Sequence, residues 1–223
     1  YFQIQNYDWS PERYKYSVEQ MMLMLFPGER PEYPETYSQD KNQAVFTLNR
    51  GPERTEVTVR VVRPEGQAQG SFQIDSSLLD EVPEQVYHTL QHAVKMAFYQ
   101  AGTAILGVEP PWGALTGVRP VKLPTRAMLA GSTPAEARRE LETEYRVSSE
   151  RAELAVDCAQ ASLAVDRKLE KSQVSLYIGI PFCPTRCAYC SFVSADVGRT
   201  LKLVEPYLEA VLEELAYTGR ILK

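Results

Sequence analysis

Three of the four cysteines in this 223-residue chain fall within eight residues, Cys183-Pro-Thr-Arg-Cys187-Ala-Tyr-Cys190. The C-x3-C-x2-C spacing puts three thiolates on one tight loop. Four-iron clusters normally take four cysteine thiolates, so three leave one iron without a protein ligand. An open iron is what a cofactor needs to chelate the cluster directly, and iron–sulfur with S-adenosylmethionine (SAM) is one of the radical-generating pairs. Structural zinc wants four ligands, usually from two C-x2-4-C pairs. Only Cys158 is left over, and no histidine lies near the loop in sequence. A disulfide would pair two thiols and strand the third. The spacing therefore favours an iron–sulfur cluster, with zinc as the alternative.

A loop of this kind must be held by its flanks. Residues 174–180, Val-Ser-Leu-Tyr-Ile-Gly-Ile, form a short, mostly apolar, β-branched run ended by Pro181. That pattern predicts a strand buried on both faces of a parallel sheet. A helix is expected over about 201–222. Strand, loop and helix make the first unit of a β/α barrel. A whole barrel takes roughly 200 or more residues, so 174–223 is expected to be its opening unit only. Both ends of the chain read as cut: Tyr1-Phe2-Gln3 suggests a protease-site scar or a fragment edge, and Lys223 falls inside the expected helix.

Upstream, residues 1–7 suit a short strand. Ser10-Pro11-Glu12 reads as a helix start, with a cap, a proline at the first position and an acid in the first turn. Tyr14, Val18, Met21, Met22 and Leu25 follow at helical spacing until Pro27-Gly28. After a loop over 27–42, three period-two runs (43–48, around Val57-Val59-Val61, and 71–74) are separated by Asn49-Arg50-Gly51-Pro52 and Arg63-Pro64-Glu65-Gly66, which predicts an antiparallel meander. A helix over 83–101 is expected to bury Val86, Leu90, Val94, Ala97 and Phe98. Residues 1–106 thus read as a small α+β domain.

Residues 107–173 read as a connector. A loop holds Pro110-Pro111-Trp112-Gly113 and Leu115-Thr116-Gly117-Val118-Arg119-Pro120. Helices are expected over 121–130, 134–145 (cap Ser132 or Thr133) and 149–169 (cap Ser148). The last is expected to bury a stripe of Leu154, Cys158, Ala161, Val165 and Leu169, with Cys158 a small buried hydrophobe.

A net charge of −5 gives no electrostatic footprint for nucleic acid or an anionic membrane surface. No apolar run is long enough to span a bilayer, and no signal peptide is visible. Clustered thiols without an export signal point to a reducing cytosol, hence a cytoplasmic location.

Other chemistry-bearing residues are sparser. Arg119, Lys122 and Arg126 lie in an acid-free stretch from 110 to 135. They suit a substrate carrying several carboxylates, since arginine pairs with carboxylates bidentately, or they are an ordinary solvated face. His88 and His92, four apart on one helix, are spaced to share a metal or touch haem. Glu is missing from position 89, so the H-E-x-x-H pattern fails, and a surface pair is expected. Arg186, inside the loop, suits the thiolates or a cluster's negative charge, or equally points to solvent.

The stretch Leu176-Tyr177-Ile178-Gly179-Ile180-Pro181-Phe182-Cys183, followed by Cys187, Tyr189-Cys190 and Ser191-Phe192, resembles the radical SAM enzymes related to oxygen-independent coproporphyrinogen III oxidase. The Leu-Thr-Gly-Val-Arg-Pro segment is similar to the coproporphyrinogen dehydrogenase HemZ-type branch. This resemblance implies that Cys183, Cys187 and Cys190 ligate a [4Fe–4S] cluster, that Tyr177 contacts SAM and that Tyr189 lies against its adenine. From the residues alone, both tyrosines suit ordinary core packing. The implied reaction is reductive cleavage of SAM to a 5′-deoxyadenosyl radical, which takes hydrogen from the β-carbon of a propionate. Loss of CO2 and one electron then leaves a vinyl group. A porphyrinogen is the implied substrate, with flavodoxin or ferredoxin as electron donor.

Proven enzymes of this reaction tend to carry His at the position of Gly179 and a further Cys at that of Phe192. The Cys-Ser-Phe ending is also typical of relatives that act as haem chaperones. A glycine-glycine-glutamate SAM motif is expected only beyond Lys223. The expected architecture is an α+β domain (1–106), a helical connector (107–173) and the start of a radical SAM barrel (174–223), inactive as it stands. The alternatives are a haem chaperone and a radical SAM enzyme with another substrate.

Overall fold

The computed structural model describes residues 2–7, 13–36, 38, 40–116, 119–170, 172–185, 187 and 190–222. The chain divides into two compact units, Tyr1–Leu169 and Glu170–Lys223.

The first unit opens with β1 (Phe2–Tyr7) and α1 (Lys15–Leu25), then β2 (Pro31–Glu32), β3 (Asn42–Arg50), β4 (Arg54–Arg63) and β5 (Gly66–Asp75). The expected meander is β3-β4-β5, antiparallel throughout, with Phe46 opposite Val59 and Val59 opposite Gly70. Two pairings go beyond it. β1 adds to β3 in parallel, and the two-residue β2 adds to β1, giving the order β2-β1-β3-β4-β5. The Ser10-Pro11-Glu12 helix start lies outside the described residues; α1 is helical from Lys15.

Alternation decides which sheet face is covered. Ala44, Phe46 and Leu48 on β3 and Val57, Val59 and Val61 on β4 are buried, and α2 (Pro83–Leu106) and α1 supply the other layer. Gly107, in the left-handed conformation at φ 67°, caps α2. Leu90, Val94, Ala97 and Phe98 are buried as expected, while Val86 is only partly so. A Cβ at Gly70 would come within 3.0 Å of Ala97 O and Ala101 N. Glycine on β5 facing Ala97 and Ala101 on α2 lets helix backbone settle directly on the strand.

The connector contains α3 (Lys122–Leu129), α4 (Pro134–Glu144) and α5 (Ser149–Asp166). Thr133 makes a full capping box with Glu136, which explains where α4 begins. Ser148 accepts from the Arg151 N–H at the start of α5. These helices have their own apolar cluster around Leu141, Val147, Ala152 and Val156. They fall within the same compact unit as the sheet layer.

The expected stripe on α5 is corrected. Leu154, Cys158, Ala161 and Val165 are exposed, and Leu169 lies beyond the helix; the buried face is Ala152, Ala155, Val156, Ala159 and Leu163. Both stripes have helical period. Alanines won because a small-residue face lets α5 approach α3 and α4 closely, a gain that side-chain hydropathy alone does not register.

The second unit contains β6 (Phe182–Cys183), β7 (Ala195–Asp196), α6 (Val197–Thr200) and α7 (Val204–Ile221). The expected helix is present, but the expected strand over 174–180 is not. That segment has no regular structure and is exposed throughout, with Tyr177 85% accessible. A central parallel strand needs a hydrogen-bonded neighbour on each side. The only ladder described in this unit is the two-residue parallel pairing of β6 with β7. Among the described residues no amide from 174 to 180 donates to a backbone carbonyl. Those amides are accordingly expected to exchange with deuterium at least about a hundredfold faster than the amides of β4. Hydrogen-exchange mass spectrometry showing equal protection would overturn this.

Candidate functional site

The cysteine loop hangs from the β6–β7 pair. The Ala195 N–H donates to Pro181 O at 2.6 Å, closing the base of the loop, and the Cys190 N–H donates to Cys187 O at 3.0 Å, turning its far end. Helix α7 braces the entry. The Tyr207 hydroxyl donates to the Gly179 carbonyl, and the Tyr207 ring meets Phe182 edge-on at 5.4 Å. Asp196 accepts from the Gly198 N–H at 2.9 Å, capping α6.

Cys183 and Cys190 are half-buried and Cys187 is exposed, all as free thiols. Cys183 and Cys190 share the wall of an open cavity of about 490 Å3 with Tyr177, Gly179 and Ile180. Phe192 and Val193 continue that wall as an apolar flank. Tyr177 is exposed and lines the cavity. Tyr189 and Arg186 lie outside the described residues.

As donors, three cysteine thiolates on one loop suit a four-iron cluster that keeps one iron without a protein ligand. Residues 170–223 contain three cysteines and no histidine, one ligand short of a closed tetrahedral site. Cys158 sits on the exposed face of α5 in the first unit. Among the described residues no three His, Cys, Asp or Glu side chains gather closely enough to grip a single ion. What the fold supplies is the loop, its anchoring and two sulfurs on one wall.

The first unit has a second constellation. Arg126 lines a cavity of about 350 Å3, together with His88, His92, Lys95, Thr116 and Tyr145. Lys122 at the start of α3 and Arg119 in the loop before it are exposed and are not part of that lining. The histidine pair is not a surface pair. His88 is exposed, but the His92 ring sits edge-on between Phe72 and Tyr145, at 5.2 Å from each. Burial holds the His92 imidazole below its usual pKa; Glu144 opposes that shift and Lys95 adds to it. Lys95 joins the two histidines, since 88, 92 and 95 follow i, i+4, i+7 on one helix face, a spacing that is the one signal of this group in the sequence.

The loop from Pro110 to Thr116 is fixed by its own turn chemistry. Gly113 adopts φ 56°, its N–H bonds to Pro110 O, and the Ala114 N–H bonds to Tyr145 O at 2.8 Å. A Cβ at Gly113 would run into the Tyr145 and Arg146 backbone, so only glycine fits there.

Over 146 residues the chain is 31% identical to the oxygen-independent coproporphyrinogen-III oxidase-like protein HemZ of Bacillus subtilis (strain 168). The matched stretch covers 65% of this chain and 29% of that protein, so the chain spans less than a third of its relative's length. No family model matches the chain, and no solved structure does. Among the described residues, no helix is long and apolar enough to cross a membrane.

Proposed function

We propose that the chain is part of a radical SAM oxidoreductase of the oxygen-independent coproporphyrinogen III oxidase-like kind. The observation that carries this reading is the C-x3-C-x2-C loop whose Cys183 and Cys190 share a cavity wall with Tyr177. The similarity to the HemZ protein supports it.

In this reading Cys183, Cys187 and Cys190 hold a [4Fe–4S] cluster and leave one iron open for SAM. When bound, cluster and SAM together supply one-electron reductive chemistry that starts hydrogen abstraction from substrate. The chain's own contribution is position and exclusion. Tyr207 and the β6–β7 pair hold the loop's entry and base. Tyr177, with Tyr189, contacts SAM, and Phe192 and Val193 give that side of the cavity an apolar flank. Three thiolates on a half-exposed loop need a reducing compartment, which suits the cytosol and a donor such as flavodoxin or ferredoxin. The substrate is a porphyrinogen whose propionates become vinyl groups, in porphyrin synthesis.

Anaerobic reconstitution of the full-length protein with iron and sulfide tests this. About four irons per chain are expected, with a reduced-state EPR signal that shifts when SAM is added. About one zinc per chain with no SAM-sensitive signal would overturn the radical reading. Product analysis with coproporphyrinogen III then separates this substrate from others.

A further inference from the structure

The cavity beside α2 in the first unit has the makings of a site for which the reading above has no use. One wall comes from a single face of α2, presenting His88, His92 and Lys95. The opposite walls come from the 112–116 loop and α3, through Leu115, Leu123 and Arg126. At about 350 Å3 it falls within the range of small-molecule pockets, about 300–1,000 Å3.

Its electrostatics are one-sided. Among the described residues, no Asp or Glu lines the cavity. The nearby acids, Glu140 and Glu144, act on Tyr145 and His92 from outside its lining, and Arg126 acts on Tyr145 with the opposite sign. Lys95 is half-buried and makes no hydrogen bond or ion pair with any described residue. Burial alone lowers its pKa. A partly desolvated ammonium without a counter-charge is costly, and an anion entering the cavity would offset that cost. The remaining wall is apolar, formed by Met96, Ala114, Leu115 and Leu123. Its geometry is preset: Gly113 and the Ala114–Tyr145 hydrogen bond fix the loop, and the His92 ring is held between Phe72 and Tyr145. An inorganic anion would use the cations and waste the apolar wall.

We infer that this cavity binds a small organic carboxylate, with the carboxylate on Lys95 and Arg126 and a compact apolar body against Met96, Leu115 and Leu123. The inference does not rest on the cluster chemistry, because it uses none of the cysteine-loop residues. Iron reconstitution and this binding can fail separately.

The test is isothermal titration of the 223-residue chain with 3-phenylpropionate, using 3-phenylpropionamide as the uncharged control. Saturable binding at one site is expected, with the acid preferred at least about tenfold over the amide. Lys95→Met should weaken the acid by at least about tenfold, Lys95→Arg should stay within about threefold of wild type, and the Met96 methyl resonance should move on binding. Because Arg126 is exposed, Arg126→Met preserves the fold and gives an independent loss if Lys95→Met unfolds. Absence of saturable binding, equal affinity for acid and amide, or undiminished binding by Arg126→Met and a folded Lys95→Met would each overturn the site.

Discussion

Cys187→Ala is expected to lower reconstituted iron by about tenfold or more, and Cys183→Ala and Cys190→Ala to do the same, while Cys158→Ala leaves iron content unchanged. Metal affinity in a site of this kind resides in the thiolates, and losing one ligand of three leaves two donors, too few to hold a cluster against solvent. Residues 170–223 offer no histidine or further cysteine as a substitute. Cys158 is the informative control. It is exposed on α5, within the first unit. Colorimetric iron and the visible charge-transfer absorption measure the outcome. If Cys158→Ala lost as much metal as Cys187→Ala, four thiols would be acting together, which closes the site, whether around zinc or a four-iron cluster, and leaves no open iron.

Phe98→Ala should produce the largest loss of stability in the first unit, about 3–5 kcal/mol. Its side chain is wholly buried, edge-on to Phe46 at 5.3 Å and tilted against Phe26 at 6.4 Å. It therefore joins α2 to the sheet and to the end of α1. The cavity left behind cannot close easily, because Gly70 and the alanines of α2 already bring helix and strand backbones as near as they can come. Leu154→Ala, by contrast, should stay within about 0.5 kcal/mol of wild type, since Leu154 is exposed. Urea denaturation followed by circular dichroism measures both. A large loss at Leu154 would restore the stripe on α5 that the sequence favoured. A small loss at Phe98 would mean that the sheet and α2 do not share one core.

What was legible in the sequence is chemistry that depends on near neighbours along the chain. The spacing of Cys183, Cys187 and Cys190 confines three thiols to one loop whatever surrounds it. Thr133 and Ser148 start their helices by side-chain bonds three residues away, and the β3–β4–β5 alternation follows from the period of the pleat. The tertiary structure decided what rests on partners distant in sequence. Among the described residues, the apolar run 174–180 has no parallel neighbour to accept its hydrogen bonds, and it makes no strand. The buried face of α5 was set by how closely α3 and α4 could approach its alanines, and the more hydrophobic opposite face stayed in water. Lys95 became a candidate ligand only when the 112–116 loop and α3 closed a cavity over it. Sequence spacing specifies which groups share a loop or a helix face; burial, pairing and the cost of an unpaired charge arise only from what folds against them.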